Sequence, residues 1–156
     1  MPTASTRNWS GLDADERAAQ MRVMQAYAAM AVLHDAAFGD DRPGSVPLPP
    51  AIARVVHHVE GNLGSNLSVD ALAQIAESSR AHFVRRFTEA LGVAPSDYVR
   101  GRRLERVERL LLATEMSVGE IAKLTGFADG NYLAKTFRRL RGTAPLEFRA
   151  TRAEAI

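Results

Sequence analysis

Residues 79–98, SRAHFVRRFTEALGVAPSDY, are followed fifty residues later by a similar stretch, DGNYLAKTFRRLRGTAPLEF, at residues 129–148. Each stretch starts with a helix-capping side chain, continues with apolar residues at helical spacing and reaches a glycine stop before a proline. Each therefore predicts a capped helix and the start of a second helix that proline opens. The matched pairs are Ser79 and Asp129, Phe83 and Leu133, Phe87 and Phe137, Gly92 and Gly142, Pro95 and Pro145, and Tyr98 and Phe148.

The repeat extends towards the N-terminus at a spacing of forty-nine, so the two turns differ by one residue. Ser68, Val69, Leu72 and Ala73 correspond to Ser117, Val118, Ile121 and Ala122. Stacked repeat proteins need about three or more units to bury a continuous core, and only two are present here. A short helix, a turn and a longer capped helix are instead typical of helix-turn-helix DNA-binding units.

The rest of the repeated region also has helical patterns. Ile52, Val55, Val56 and Val59 predict a preceding helix with one buried face. No segment shows the sustained alternation of a strand, so the sequence predicts an all-α fold with two helix-turn-helix units. The predicted boundaries are 51–150 for the domain, about 68–91 for unit one, about 95–113 for a long joining helix, and about 117–141 for unit two.

A separate helical segment is predicted over residues 1–38, before a proline-rich linker at 39–50. Asp13 and Glu16 have capping-box spacing, and the stretch from there to Phe38 contains neither glycine nor proline. This helix is apolar over much of its circumference and must cover its own domain, a second copy or another protein. We expect a homodimer through this helix, with partner-contact candidates Met21, Met24, Tyr27, Ala28 and Met30.

Positive charge is concentrated in the repeated part of the chain. Of 20 Lys and Arg and 18 Asp and Glu, residues 1–50 hold four basic and six acidic, leaving sixteen and twelve for 51–156. A basic balance there suits a nucleic acid partner.

Composition excludes several classes of protein. The chain has no cysteine, which excludes disulfides, thiolate metal sites and cysteine nucleophiles. The first ten residues lack the apolar run of a signal peptide, and no run of about 18 apolar residues occurs. We therefore expect a cytoplasmic, nucleoid-associated protein with no membrane partner.

The stretch from Ile52 to Arg149 includes Leu67–Ser68, Leu72–Ala73, Ser79, His82–Phe83, Phe87, Gly92, Pro95, Tyr98, Arg103–Leu104, Leu110–Leu111, Ser117–Val118, Glu120–Ala122, Gly126–Phe127, Asp129, Tyr132, Phe137–Arg138, Gly142, Pro145 and Arg149. With these residues, the stretch resembles the DNA-binding domain of AraC/XylS-type bacterial transcription regulators. The resemblance implies double-stranded DNA as partner, RNA polymerase as a further partner, and activation as the expected role. Many members carry an effector-binding domain of more than one hundred residues, so no small-molecule effector is expected here unless the chain is a fragment.

The second helix of each unit is the predicted recognition helix, whose outward residues face base edges in the major groove. Arginine can bridge two acceptors of guanine, and asparagine can pair with adenine. The predicted base contacts are Arg80, Ala81, Val84, Arg85, Gly130, Asn131, Ala134 and Lys135. The predicted phosphate contacts are Arg86, Thr88, Lys123, Arg138, Arg139 and Arg141.

Other functions have less support. Adjacent His57 and His58, near Glu60, point to different helix faces, so no metal site or cofactor is expected. No catalytic constellation predicts an enzyme. The alternative is a protein-interaction module that acts through the N-terminal helix, but such a scaffold would not need outward basic residues at Arg80, Arg85, Lys135 and Arg138.

Overall fold

The computed structural model describes residues 47–154, and that range folds into seven α-helices without a strand. The all-α class with two helix-turn-helix units is confirmed. The predicted helical segment 1–38, its partner-contact candidates and most of the 39–50 linker lie outside the described residues. The helices are α1 Pro50–Gly61, α2 Val69–Ile75, α3 Arg80–Leu91, α4 Pro95–Ala113, α5 Val118–Thr125, α6 Gly130–Arg141 and α7 Pro145–Ala153.

Side-chain caps start four of these helices where the sequence indicates. Ser68, Ser79 and Asp129 each accept a hydrogen bond from the backbone amide three residues on. Ser117 does the same and forms a capping box with Glu120, whose carboxylate accepts from the Ser117 amide at 2.8 Å. These contacts satisfy amides that have no partner within the helix. α1 begins at Pro50, because proline fits the first helical position.

Each unit closes its own hydrophobic core. The first core packs α1 against α2 and α3 around Phe83 and Phe87, with Tyr98 contributed by α4. The second packs α5 and α6 around Leu133 and Phe137, with Phe148 of α7 against it. The aromatic pairs Phe87–Tyr98 and Phe137–Phe148 have ring centroids 5.5 and 5.4 Å apart. The sequence repeat is therefore also a repeat of packing.

Helix α4 belongs to both cores. Tyr98 and Val99 lie in the first core, whereas Leu104, Val107 and Leu111 lie in the second. The boundary between the cores thus falls within one continuous helix of 19 residues. Unit one therefore packs on the N-terminal part of α4 and unit two on its C-terminal part.

The turns of the two units share a left-handed residue and one backbone hydrogen bond, and the second turn has one residue more. Glu77 has φ 53° and Gly126 has φ 79°, both in the left-handed region, and they are forty-nine residues apart. The Ser78 amide donates to the Ala73 carbonyl, and the equivalent Phe127 amide donates to Ala122, each at 3.0 Å. The added residue is therefore Ala128, between these turns and the following cap.

Candidate nucleic-acid interface

Helix α3 has one buried face and one exposed face. Its buried residues are Phe83, Phe87 and Leu91. Because a helix turns about 100° per residue, the residues between them lie on the outer side. Six residues of α3 are predicted to contact DNA. Val84 is half-buried, and the exposed ones are Arg80, Ala81, Arg85, Arg86 and Thr88.

Helix α6 repeats this division. Leu133, Thr136 and Phe137 are buried. Lys135 occupies the position equivalent to Arg85, fifty residues on, and both side chains are exposed. Among the other residues of α6 that are predicted to contact DNA, three are exposed, namely Asn131, Arg138 and Arg139. Three are half-buried, namely Gly130, Ala134 and Arg141.

Position 80 and its equivalent, Gly130, show how the two units differ. Arg80 forms an exposed ion pair of 3.0 Å with Asp70 in α2. In unit two the corresponding residues are Gly130 and Gly119, and a Cβ at Gly130 would lie 3.2 Å from the Cα and N of Gly119. The missing side chains let α5 and α6 approach closely. Gly130 therefore faces the neighbouring helix rather than outwards, and only its backbone is available to a ligand.

Two of the predicted phosphate contacts already have partners within the protein. The Thr88 hydroxyl donates to the Val84 carbonyl at 2.7 Å, and the Arg141 guanidinium pairs with Glu108 of α4. In contrast, Lys123 in α5 is exposed close to the end of the first helix of unit two. These contacts make Thr88 and Arg141 weaker candidates than Arg86, Arg138 and Arg139.

Tyr132 is an exposed aromatic residue that sequence reasoning did not select as a DNA contact. Its side chain is 50% exposed in the first turn of α6, and its ring lies 6.2 Å from that of Phe127. The equivalent residue in α3 is His82, which is also exposed. Tyr132 therefore adds an exposed ring to the outer face of α6, beside Asn131.

Behind the interface, a polar network ties α4 to α1. Arg102 makes a two-pronged ion pair with Glu60, at 2.6 and 2.7 Å, and contacts Glu105 at 2.5 Å. The Tyr98 hydroxyl donates to Glu60 at 3.3 Å. Burial and the nearby Glu60 carboxylate raise the pKa of Tyr98, while burial raises the pKa of Glu105. Arg102 is only 5% exposed, so this pairing compensates for its desolvation.

The described part of the chain offers little for other site types. Residues 47–154 contain no group of three or more histidine, aspartate or glutamate side chains placed to hold a metal ion. None of the helices described combines the length and apolar character needed to span a membrane. What the described residues do present is a pair of exposed, basic, capped helices.

Two capped helix-turn-helix units on a shared helix, each with an exposed basic second helix, define a helix-turn-helix DNA-binding protein. A family model described as a helix-turn-helix domain matches residues 72–151. The chain belongs to this family, and its relatives place it in the AraC-type branch. The regulator GbdR of Pseudomonas aeruginosa is 33% identical over 100 residues, which cover 64% of this chain and 27% of GbdR.

Solved structures agree with this assignment. The DNA-binding domain of AdpA, a global transcriptional factor solved with a target DNA, is 34% identical with a TM-score of 0.65, covering 68% of this chain and 96% of that domain. The xylose-binding transcription activator XylR is 25% identical with a TM-score of 0.59, covering 72% of this chain and 29% of XylR. The matched region covers between 27% and 45% of the length of the curated relatives.

Proposed function

We propose that this protein is a sequence-specific transcription regulator, an activator, that reads two adjacent major grooves with α3 and α6. The observation that carries the proposal is the equivalence of Arg85 and Lys135. Both occupy the same position in duplicated, capped helices, and both are exposed; the small residue Ala81 lies one turn before Arg85, and Ala134 lies directly before Lys135. A scaffold used only for protein contacts has no need for that duplication of basic residues.

The length of α4 supports simultaneous reading of both grooves. Its 19 residues span about 28 Å at 1.5 Å per residue. Successive major grooves on one face of B-DNA are roughly 34 Å apart. Because each unit packs on one end of α4, we expect the two recognition helices to be separated by a distance of that order. A modest bend of the duplex would accommodate the difference.

The side chains divide into two proposed roles. Arg85, Asn131 and Lys135, together with Ala81, Val84 and Ala134, are proposed to read base edges and thymine methyl groups. Arg86, Arg138, Arg139 and Lys123 are proposed to hold phosphates, which supply affinity without sequence information. Arg80 is held by Asp70, and we assign it a base contact only after that exposed pair opens. Exposed ion pairs contribute little, so opening is inexpensive in free energy.

Activation implies contact with RNA polymerase, and self-association through the N-terminal segment is part of the same proposal. Support for activation comes from XylR, which is described as a transcription activator, and from the shared DNA-binding architecture. A promoter-reporter assay with purified polymerase tests it directly. Stimulated transcription is expected from a promoter that carries a DNA site bound by the protein, and repression of that promoter would contradict the activator role.

The test of DNA reading is selection of duplexes from a random library, followed by titrations with single variants. Arg85→Ala should relax preference at one base position, where a good bidentate contact is worth about 1–3 kcal/mol. Arg139→Ala should weaken all sequences similarly and lower the slope of log affinity against log salt by about one. Fluorescence anisotropy across a salt series measures both effects.

Arg54→Ala is the matched control, since Arg54 is an exposed arginine on α1, outside both recognition helices. It should leave sequence preference unchanged. Equal loss on every sequence in both the Arg85 and Arg139 variants would contradict the division into base and phosphate contacts. Absence of duplex binding by the unmodified protein at low salt would contradict the proposed function itself.

A further inference from the structure

The boundary between the two cores lies on α4, between Val99 and Leu104. Two separately packed units on one helix could change their relative orientation by bending of α4 at that boundary, unless other contacts join the units. Arg102 and Arg103 occupy it. Arg102 turns back to Glu60 and fixes α4 to α1 within unit one. Arg103 has a different set of partners.

Arg103 reaches from α4 to the loop between α1 and α2. Its Nε donates to the Leu63 carbonyl at 2.9 Å, and one terminal nitrogen donates to the Ser65 carbonyl at 2.7 Å. The side chain is half-buried, and burial lowers the pKa of its guanidinium. A charged donor that bonds two backbone carbonyls in a partly dry site is a strong local contact.

Unit two packs against the same guanidinium. A Cβ at Gly126, which ends α5, would lie 2.7 Å from the Arg103 guanidinium carbon and 2.6 Å from the Leu63 carbonyl oxygen. A Cβ at Gly64 would lie 2.8 Å from the Leu124 carbonyl oxygen. The loop of unit one and the turn of unit two therefore meet backbone to backbone, and Arg103 lies between them.

We propose that Arg103 is a positioning residue that locks unit one to unit two and so sets the spacing between the two DNA half-sites that the protein accepts. The proposal rests on the proposed reading of two grooves. Arg103 makes no base contact in this view. It limits the relative motion of α3 and α6 in the free protein. Binding to DNA at the matching spacing therefore loses less conformational entropy, whereas binding at another spacing requires the Arg103 contacts to break.

The lock itself is tested without DNA. The chain has no cysteine, so spin labels at Gln74→Cys and Ala128→Cys, exposed positions in the two units, report one distance in the full chain. We expect a single narrow distance distribution that broadens in Arg103→Ala. Arg106→Ala, which removes an exposed arginine from the same helix, is the matched control and should stay narrow. A narrow distribution in folded Arg103→Ala overturns the proposal.

The consequence for DNA is tested on the selected site and on versions with one or two base pairs added or removed between the half-sites. Arg103→Ala should lose roughly tenfold in affinity at the original spacing and much less at the altered spacings, which flattens the preference. Affinity for an isolated half-site should not change. A tenfold loss at every spacing, or an unchanged preference, overturns the proposal.

Arg103→Lys guards against loss of folding, because it keeps the positive charge while one ammonium group replaces the two-pronged guanidinium. The width of its spin-label distance distribution and its preference for half-site spacing should lie between those of the parent and of Arg103→Ala. A distribution as broad as that of Arg103→Ala also supports the proposal, because the two hydrogen bonds need the guanidinium geometry. A lysine variant identical to the parent overturns the proposal.

The two proposals can fail separately. If the parent binds no duplex while Arg103→Ala still broadens the distance distribution, the role of Arg103 in joining the units is supported and the proposed function fails.

Discussion

Glu77 occupies a backbone conformation that glycine adopts at the equivalent position in unit two. Its φ of 53° lies in the left-handed region, where a residue with a Cβ is strained by about 1–2 kcal/mol. Gly126 meets the same requirement without that strain. The turn in unit one therefore keeps its shape because the surrounding core, not its own residue, imposes it.

We predict that Glu77→Gly stabilises the protein. Relief of left-handed strain exceeds the extra backbone freedom that glycine gains when unfolded, and the net gain should be about 1 kcal/mol. Urea denaturation followed by circular dichroism measures it. Glu77→Ala is the control, since it removes the carboxylate and keeps the Cβ. Equal stabilisation by alanine would assign the effect to charge and not to the backbone.

Only part of the proposed base-reading surface could be predicted from the sequence. Arg85, Asn131 and Lys135 follow from their spacing relative to buried Phe83 and Leu133, because helical periodicity fixes which side faces outwards. Gly130 does not, because its direction depends on the approach of Gly119 from another helix. A contact between residues that are distant in the chain leaves no local pattern.

At the scale of the helices, the capping box at the start of α5 links stability to pH. The Ser117 amide donates to the Glu120 carboxylate, and this hydrogen bond holds the pKa of Glu120 below its usual range. A carboxyl whose folded-state pKa is lowered stabilises the fold at pH values above its ordinary range. That contribution is lost as the pH falls through the lowered pKa.

We predict that Glu120→Gln changes stability little at neutral pH and reduces the loss on acidification. The glutamine oxygen still accepts from the Ser117 amide, and it does not titrate. Melting temperatures across a series from neutral to strongly acidic pH measure the effect, with Glu115→Gln as a control for the loss of one negative charge. An acid-induced loss as steep as that of the parent would contradict this role for Glu120.

Helix positions were predictable because each helix carries its own start and stop signals. Proline at 95 and 145 and glycine at 92 and 142 are local, and α4 occupies the range that Pro95 and the apolar spacing indicate. The contacts of Arg103 were not predictable in the same way. They join residues about 40 positions apart and depend on how two finished units meet.

At the scale of the whole molecule, the described residues supply two hydrophobic cores. The first runs from Leu48 to Val99, and the second from Leu104 to Phe148. We expect the repeated domain to fold without residues 1–44, and we expect the apolar sequence pattern of residues 13–38 to serve a contact with another partner.

We predict that deletion of residues 1–44 leaves a cooperatively folding protein with unchanged affinity for a single site and a lower oligomeric state. The reason is that Met21, Met24 and Tyr27 belong to an apolar helix pattern too broad to be stable alone in water. Sedimentation equilibrium of the full chain and the deletion measures the change, and full-length Met24→Asp should shift the same way if that face mediates association. One unchanged monomer mass in all three proteins would assign the segment to the protein's own surface. In that case the two units would bind DNA as a single chain, and spacing would be set by α4 and Arg103 alone.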